Sequence, residues 1–322
     1  MATKFAMKRL RTSWLELARS RFLRYPALAT PGTVTGFPAN PAGNSRLSRT
    51  IPGLRACRGR PRCYGVLVNA NTRTLLRGRL EVRVFADRGD AGAAGAEIAA
   101  GVLREETRRA GRAAVVFASA VSQGAFLAAL RAQQIDWTRI IAFHMDEYAG
   151  MSGDHPASFR RFLRERLLDH VPVAAFHQLE GDAADAEAEC ARYAGLLRMA
   201  QPCLAIMGIG ENGHVAFIDP PVCDFSDPRD VRAVELDDFC RMQQVHDGAF
   251  ARLEDVPRRA LSLTVPFFLR VPRAFVFVNG VRKSAAVRAA LEGPVVEACP
   301  ASVLRRHPCA ILFLDEAAAS LL

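Results

Sequence analysis

Acidic side chains are almost missing from the first quarter of this 322-residue chain. Residues 1–80 contain 16 Lys and Arg against a single acid, Glu16, which gives this segment a local charge of +15. The remaining residues contain 27 basic and 32 acidic side chains, so they carry −5 although the whole chain carries +10. The positive charge therefore belongs to the N-terminal segment and does not describe the partners of the rest of the chain.

Regular hydrophobic spacing is also missing from residues 1–80, where Pro, Gly, Ser and Arg are mixed. This composition predicts disorder, so we divide the chain into a basic, disordered extension at 1–80 and a folded domain at 81–322. We interpret this extension as a segment without a selected role; the alternative is an organelle transit peptide, which Arg-rich, acid-poor leaders resemble. We expect the domain to fold and work without it. Nothing in the segment has the form of a nucleic-acid-binding module, so no nucleic acid is expected as a partner.

Paired cysteines and long apolar runs are absent as well. None of the eight cysteines forms a C-x-x-C pair, and no group of His and Cys has the spacing of a zinc site. No apolar run reaches the roughly 18 to 20 residues of a membrane span. The sequence therefore predicts no metal motif and no membrane segment, and it favours a reducing, cytoplasmic setting.

From Glu81 onward, short apolar runs alternate with helical patterns. This alternation predicts an α/β fold with a largely parallel sheet and helices on both faces. The predicted strands lie at 82–85, 113–118, 140–144, 203–207, 274–278 and 310–314, and the predicted helices at 91–109, 124–132, 159–168, 184–199 and 283–291.

A glycine-rich loop, Gly208 to Pro220, follows the predicted strand 203–207 and contains His214 and Asp219. Glycine lets backbone lie close to a ligand, and histidine exchanges a proton near neutral pH. Open α/β sheets bind small molecules at such strand ends. The loop also fits the dinucleotide motif G-x-G-x-x-G, but that motif requires a helix after its third glycine, and Pro220 stops one early. The sequence therefore predicts a catalytic loop.

Two further groups follow strand ends. Asp146 comes after strand 140–144, where burial would raise the pKa of its carboxyl group and make it a better base; a cap or turn is the alternative. Ser119 and Ser122 open a helix after strand 113–118, as in an anion site or an ordinary cap. His214, taken alone, would be a hydrogen-bonded core histidine, and the cations Arg241 and Lys283, taken alone, would be surface charges.

Together these segments resemble glucosamine-6-phosphate deaminases, within the larger group that also contains 6-phosphogluconolactonases. The resemblance covers residues 81–322. It is carried by Phe143-His-Met-Asp-Glu-Tyr148, His155-Pro-Ala-Ser-Phe159, the Gly208–Pro220 loop, Val256-Pro-x-x-Ala-Leu-Ser-Leu-Thr264, Lys283, Leu304-x-x-His-Pro308 and Leu314-Asp-Glu316.

The resemblance implies a Rossmann-like, three-layer α/β/α domain that needs neither metal nor cofactor. It implies a small sugar phosphate as the substrate and a reaction in which an amino-sugar phosphate becomes a ketose phosphate and ammonia. In this reaction Asp146 would move a proton between C1 and C2, and His214, with Asn212 and Asp219, would open the sugar ring. The implied substrate-binding residues are Ser119, Ser122, Gly213, Arg241 and Lys283.

Some positions depart from that family. The best-known deaminases have Asp in place of Asn212 and Glu in place of Asp219, and their phosphate loop is Thr-Gly-Gly-Thr instead of Ser119-Ala-Val-Ser122. Since Asn212 cannot stabilise an imidazolium by charge, His214 is expected to be a weaker base here. A 6-phosphogluconolactonase-type hydrolase and a non-catalytic sugar-phosphate sensor are the alternatives. The sequence leaves open the sugar epimer, allosteric regulation and whether the chain forms a homo-oligomer.

Overall fold

A computed structural model describes residues 72–322, and residues 1–71 lie outside the described residues. The strands are β1 (Arg73–Arg77), β2 (Leu80–Phe85), β3 (Ala113–Phe117), β4 (Ile140–His144), β5 (Asp146–Tyr148), β6 (Ala175–His177), β7 (Leu204–Met207), β8 (Val231–Glu235), β9 (Arg259–Leu263), β10 (Ala274–Val278) and β11 (Ala310–Asp315). The α-helices are α1 (Arg88–Ala110), α2 (Gly124–Arg131), α3 (Phe159–Arg166), α4 (Ala186–Ala200), α5 (Asp238–His246), α6 (Val265–Arg270) and α7 (Ser284–Glu292).

Eight strands form one sheet in the order β1-β2-β11-β10-β7-β3-β4-β6. The β1–β2 pair is antiparallel, and every other neighbouring pair in this sheet is parallel. Successive residues of the central strands contribute to two different apolar clusters, Val116 to one and Val115 to the other. Both faces of the sheet are therefore covered, as all-parallel sheets require. The predicted α/β fold with three layers is confirmed.

The strand order places two loops side by side. From β3 the chain continues through β4 and β6 on one side, and from β7 it continues through β10 and β11 on the other. Because β3 and β7 are neighbouring parallel strands, the segments that follow them both start at the carboxyl edge of the sheet. This is the position at which doubly wound sheets bind ligands.

A second sheet was not predicted from the sequence. It is three-stranded and antiparallel, in the order β5-β9-β8, and it begins two residues after the end of β4. Asp146 pairs with Ser262 in its register. An apolar cluster that includes Tyr148 and Phe217 packs against it. The sheet therefore fixes the segment after β4, which would otherwise be a free loop.

The ends of the elements follow local chemistry. Helix α1 begins three residues earlier than predicted because Asp87 caps it, accepting hydrogen bonds from the N–H groups of Gly89 and Asp90. It ends at Gly111, whose φ of 78° is the left-handed conformation that glycine adopts easily. Among residues 72–322, no helix combines the length and the apolar character that crossing a membrane requires.

The boundary at residue 80 needs a correction. Strand β1 lies inside the predicted extension and pairs with β2 along its whole length, and Leu80 is buried within β2. The charge count placed the limit too late because Arg73 and Arg77 belong to an exposed edge strand, where basic side chains are common. Disorder of residues 1–71 stays a prediction, since those residues lie outside the described part.

Candidate active site

The loop from Gly208 to Asp219 leaves β7 and folds tightly around His214. The N–H of Gly210 donates to the carbonyl oxygen of His214 at 3.0 Å, and the N–H of Gly213 donates to the carbonyl of Gly210 at 3.0 Å. No helix follows Gly213 within the loop, and the next helical turn begins at Pro220. The dinucleotide alternative therefore lacks the helix that its motif requires.

The glycines of this loop make room for side chains. A Cβ built on Gly210 would lie 2.2 Å from Cε1 and Nε2 of His214, so the imidazole occupies the space that an alanine side chain would need. Gly213 has a φ of +85°, and a Cβ there would lie 2.9 Å from Sγ of Cys299. The sequence therefore needs glycine at 210 for space and at 213 for both backbone conformation and space.

His214, Asp219 and Asn212 are in direct contact. Nδ1 of His214 lies 3.0 Å from Oδ1 of Asp219, although the angle is outside hydrogen-bond geometry. Nδ2 of Asn212 donates to the same oxygen at 2.9 Å, and Oδ1 of Asn212 accepts from the His214 N–H at 3.0 Å. The negative charge beside the imidazole is thus supplied by Asp219, while the asparagine orients both partners.

Asp219 is fully buried, and burial by itself would raise the pKa of its carboxyl group. The contacts from His214 and Asn212 and the Asp237 N–H outweigh burial and hold that pKa below its usual range. Asp219 is therefore an anion at neutral pH. A buried carboxylate beside an imidazole stabilises the imidazolium that forms when the ring accepts a proton.

Asp146 stands at the start of β5 and is only 6 % exposed. Burial raises the pKa of its carboxyl group well above the ordinary value, and the neighbouring Glu147 raises it further. Such a carboxyl group is a stronger base than an exposed aspartate once it has lost its proton.

A serine joins Asp146 to the histidine loop. Ser262 is the register partner of Asp146, and its Oγ accepts a hydrogen bond from the Phe217 N–H at 3.1 Å. Asp146 also acts electrostatically on Cys240, whose Sγ lies within 4.8 Å of ligand atoms of both His214 and Asp219. The segments that carry the two predicted acid–base residues, Asp146 and His214, thus lie at the same end of the sheet.

Glu147 and His144, which lie close to Asp146 in the sequence, make contacts that stabilise the fold. Glu147 accepts from the Ser158 hydroxyl at 2.8 Å and pairs with Arg160 at 3.2 Å. His144 accepts at Nε2 from the Leu179 N–H at 2.8 Å, and burial lowers the pKa of its ring to about 3. Both side chains are engaged in contacts that hold the fold. Of the three residues, Asp146 is therefore the candidate for a general base.

The serine segment after β3 lies beside the start of the histidine loop. Ser119 is buried, and its hydroxyl has no hydrogen-bond partner within the described residues. Ser122 Oγ lies 3.9 Å from the Cβ position of Gly208. The carbonyl of Ser122 accepts from Asn279 Nδ2 at 3.2 Å, which ties this segment to the end of β10. An unsatisfied buried hydroxyl at a helix start is suited to an anion.

Lys283 follows β10 near the same edge. Burial lowers the pKa of its ammonium group, while Asp247 and Glu211 oppose that change. Since Glu211 belongs to the histidine loop, the cation lies within electrostatic reach of that loop. A phosphate site made by Ser119, Ser122 and Lys283 stays a prediction, which the helix starts and the lysine charge both favour.

Arg241 does not join this group. It is 2 % exposed, and its guanidinium donates to the carbonyl oxygens of Leu253 and Val256 and to the carboxylate of Asp238. Its donors are therefore used to hold the segment after α5. The alternative of a solvated surface charge at Arg241 is wrong, because spacing alone could not show that α5 points this residue inward. A phosphate contact at Arg241 stays a prediction.

Sequence reasoning missed two groups at the site. Cys240 lies against Asp219, and Ser262 holds the backbone of the histidine loop. Ser262 belongs to the segment that carried the family resemblance, where alternating apolar residues could have indicated a strand. Cys240 had no such signal, since its approach to the loop depends on the packing of α5.

Comparisons with known proteins identify the family of this chain. The family described as glucosamine-6-phosphate isomerases/6-phosphogluconolactonase matches residues 86–312. Glucosamine-6-phosphate deaminases of Bacillus thuringiensis (strain Al Hakam) and Bacillus cereus (strain AH820) are each 35% identical over 194 residues, which is 60% of this chain and 72% of the relative.

Solved structures with the same fold include members of both branches. A monomeric glucosamine-6-phosphate deaminase is 27% identical with a TM-score of 0.70, and the match covers 75% of this chain and 99% of that one. A 6-phosphogluconolactonase from Shewanella baltica OS155 is 20% identical with a TM-score of 0.61, over 73% of this chain and 97% of its own. The chain therefore belongs to the family of glucosamine-6-phosphate isomerases and 6-phosphogluconolactonases, and it is an enzyme of that kind.

Proposed function

We propose that this enzyme converts glucosamine 6-phosphate, or a closely related amino-sugar phosphate, and water to fructose 6-phosphate and ammonia. The observation that carries the proposal is the placing of a buried carboxyl group, Asp146, at the same sheet edge as the His214–Asp219 pair. The names of the 35% identical relatives support the same substrate.

The phosphate would anchor the sugar. Ser119 offers a buried hydroxyl without a partner, Ser122 lies beside it, and Lys283 supplies the positive charge. Anchoring one end of a six-carbon sugar fixes the position of the other end. Such positioning replaces a bimolecular encounter by a unimolecular step, which accounts for several kcal/mol of the barrier in oriented systems.

Ring opening would fall to His214. Its Nδ1 lies against Asp219, which leaves Nε2 to take the proton from the O1 hydroxyl of the pyranose and return it to O5. The imidazolium that exists between these transfers is stabilised by the Asp219 carboxylate 3.0 Å away. The C1–O5 bond breaks and the free aldehyde forms.

Isomerisation and deamination would follow at Asp146. Its carboxylate removes the proton from C2 and its carboxyl group then delivers a proton to C1, while the amino nitrogen gives up one proton and O1 gains one, so that the 2-amino aldose becomes a 2-imino ketose. Water adds to the imine carbon and ammonia leaves, which gives the ketose phosphate. A positioned acid–base group of this type contributes on the order of 10² to 10⁴ in rate.

Proton exchange at carbon tests the assignment directly. The wild-type chain should release ammonia from glucosamine 6-phosphate and, in D₂O, should place deuterium at C1 of the product, because the proton held on Asp146 exchanges with solvent before it is delivered. Asp146→Asn should lose both activities by about 10²-fold or more while it still binds fructose 6-phosphate. Asp154→Asn serves as the matched control, because that side chain is 98% exposed.

Three outcomes of these assays would contradict the proposal, and each points to a different conclusion. Undiminished deuterium incorporation in Asp146→Asn would reject the role of this residue. Hydrolysis of a 6-phosphogluconolactone without ammonia release would assign the chain to the lactonase branch. Thermal stabilisation by sugar phosphates without any product would indicate a sensor.

A further inference from the structure

A cysteine from α5 completes a compact set of three possible metal ligands. A ring nitrogen of His214, a carboxylate oxygen of Asp219 and Sγ of Cys240 all lie within 4.8 Å of one another, and Nδ1 of His214 is 3.0 Å from Oδ1 of Asp219. His214 is 7 % exposed, and Asp219 and Cys240 are fully buried. The three residues come from two separate segments, which is why no spacing in the sequence predicted the cluster.

The donor atoms select the kind of ion. One nitrogen, one carboxylate oxygen and one sulfur form the type of ligand set that Zn²⁺ accepts, whereas Mg²⁺ and Ca²⁺ require oxygen ligands. Three protein ligands leave one tetrahedral position for water or a substrate oxygen. The cluster therefore fits a borderline divalent cation rather than a hard one.

An independent feature of His214 also points to a ligand. Its Nδ1 is buried and makes no hydrogen bond within the described residues, although Oδ1 of Asp219 is 3.0 Å away. Ring opening requires the tautomer with the proton on Nδ1; when that proton moves to Nε2, the Nδ1 lone pair is free to bind an ion and Nε2 can no longer accept a proton from the sugar. An unsatisfied buried nitrogen of this kind is uncommon in folded proteins.

We propose that His214, Asp219 and Cys240 form a binding site for Zn²⁺ or a closely similar divalent cation, and that the bound ion inhibits the enzyme. The ion takes the thiolate of Cys240, whose proton passes to the buffer, together with the Nδ1 lone pair and the Asp219 carboxylate. The Asp219 carboxylate is then neutralised by the metal, so it no longer stabilises an imidazolium. The binding claim stands by itself, and the inhibition claim rests on the proposed function.

Co²⁺ is the probe for binding, because a bound thiolate gives a thiolate-to-cobalt charge-transfer band in the near ultraviolet. The full chain, freed of metal by a chelator, should develop this band on titration, and Zn²⁺ should remove it. Cys240→Ser should lose the band. Cys299→Ser should keep it, since Cys299 lies beside Gly213 but outside the cluster.

Inhibition is measured as ammonia release against Zn²⁺ concentration. Zn²⁺ should abolish turnover of the wild type, and a chelator should restore it. Relative to its own metal-free rate, Cys240→Ser should require on the order of 10- to 100-fold more Zn²⁺. If Cys240→Ser does not fold, Cys240→Ala removes the thiol without adding a buried hydroxyl and takes its place.

Two results would overturn the binding claim: no charge-transfer band in the wild type, or an undiminished band in both Cys240 variants. A band together with unchanged turnover in saturating Zn²⁺ would overturn the inhibition claim alone. A wild-type chain that binds Co²⁺ through Cys240 but never releases ammonia would instead reject the proposed function, so the two failures are distinguishable.

Discussion

Replacement of Gly210 by alanine tests the position of the His214 imidazole, to which we assign ring opening. The added Cβ would lie 2.2 Å from Cε1 and Nε2 of His214 and 2.3 Å from Nδ1. Since non-bonded carbon contacts are favourable at about 3.5–4.0 Å, the ring must move by about 1.3 Å or the loop must shift. Misplacement of a catalytic group by about 1 Å costs roughly 10²-fold in rate. Overpacking of this kind costs about 1–3 kcal/mol of stability.

The assay is kcat for ammonia release from glucosamine 6-phosphate, read beside a thermal melt that shows the variant to be folded. Gly210→Ala should lose about 10²-fold in kcat. Gly195→Ala is the matched control, because it lies in α4 with nothing within 4 Å of its Cβ position. A folded Gly210→Ala protein that turns over within about threefold of wild type would refute the steric reasoning.

Two further predictions concern pH and the domain limit. Because burial raises the pKa of Asp146 and a general base works only when deprotonated, kcat/KM should fall on acidification at a pH above the value of about 3.9 of an exposed aspartate; a profile that is flat down to pH 4 would contradict this. A chain beginning at residue 72 should melt like the full chain. One beginning at residue 80 loses β1 and should melt more than about 4 °C lower, as measured by calorimetry, and equal melting temperatures would refute a structural role for β1.

Much of the parallel sheet could be predicted from the sequence. The buried strands are continuous apolar runs, as in Ala274–Val278, and each is long enough to count as a strand yet too short for a buried helix. Helix ends followed capping rules, with a left-handed glycine after α1. These signals are local, so reading them needs no knowledge of how the chain packs.

The small antiparallel sheet carries no such signal. Strand β5 has only three residues, Asp146–Tyr148, two of them acidic, and its strand conformation depends on pairing with a segment more than a hundred positions later. The inward direction of Arg241 and the approach of Cys240 depend equally on the packing of α5. These features could not be predicted from the sequence because they depend on contacts between segments that are far apart in the chain.

Asp219, by contrast, was predicted from its place in the glycine-rich loop. Its carboxylate supplies the negative charge that Asn212 lacks. The sequence indicated that Asn212 itself cannot stabilise an imidazolium by charge. In the folded chain the shorter aspartate reaches Nδ1 of His214 itself. Whether His214 is a weaker base than its counterparts stays a prediction, but a carboxylate is in place beside it.

Anyone who redesigns this enzyme for another sugar will have to respect the hydroxyl of Ser262. It clamps the main chain three residues beyond His214 to the strand that faces Asp146. An insertion between His214 and Phe217 would break this hydrogen bond and change the distance between Asp146 and His214, the two groups to which we assign proton transfer. Insertions are better placed after Pro220, because residues added there lie outside the segment between His214 and Phe217 that Ser262 holds.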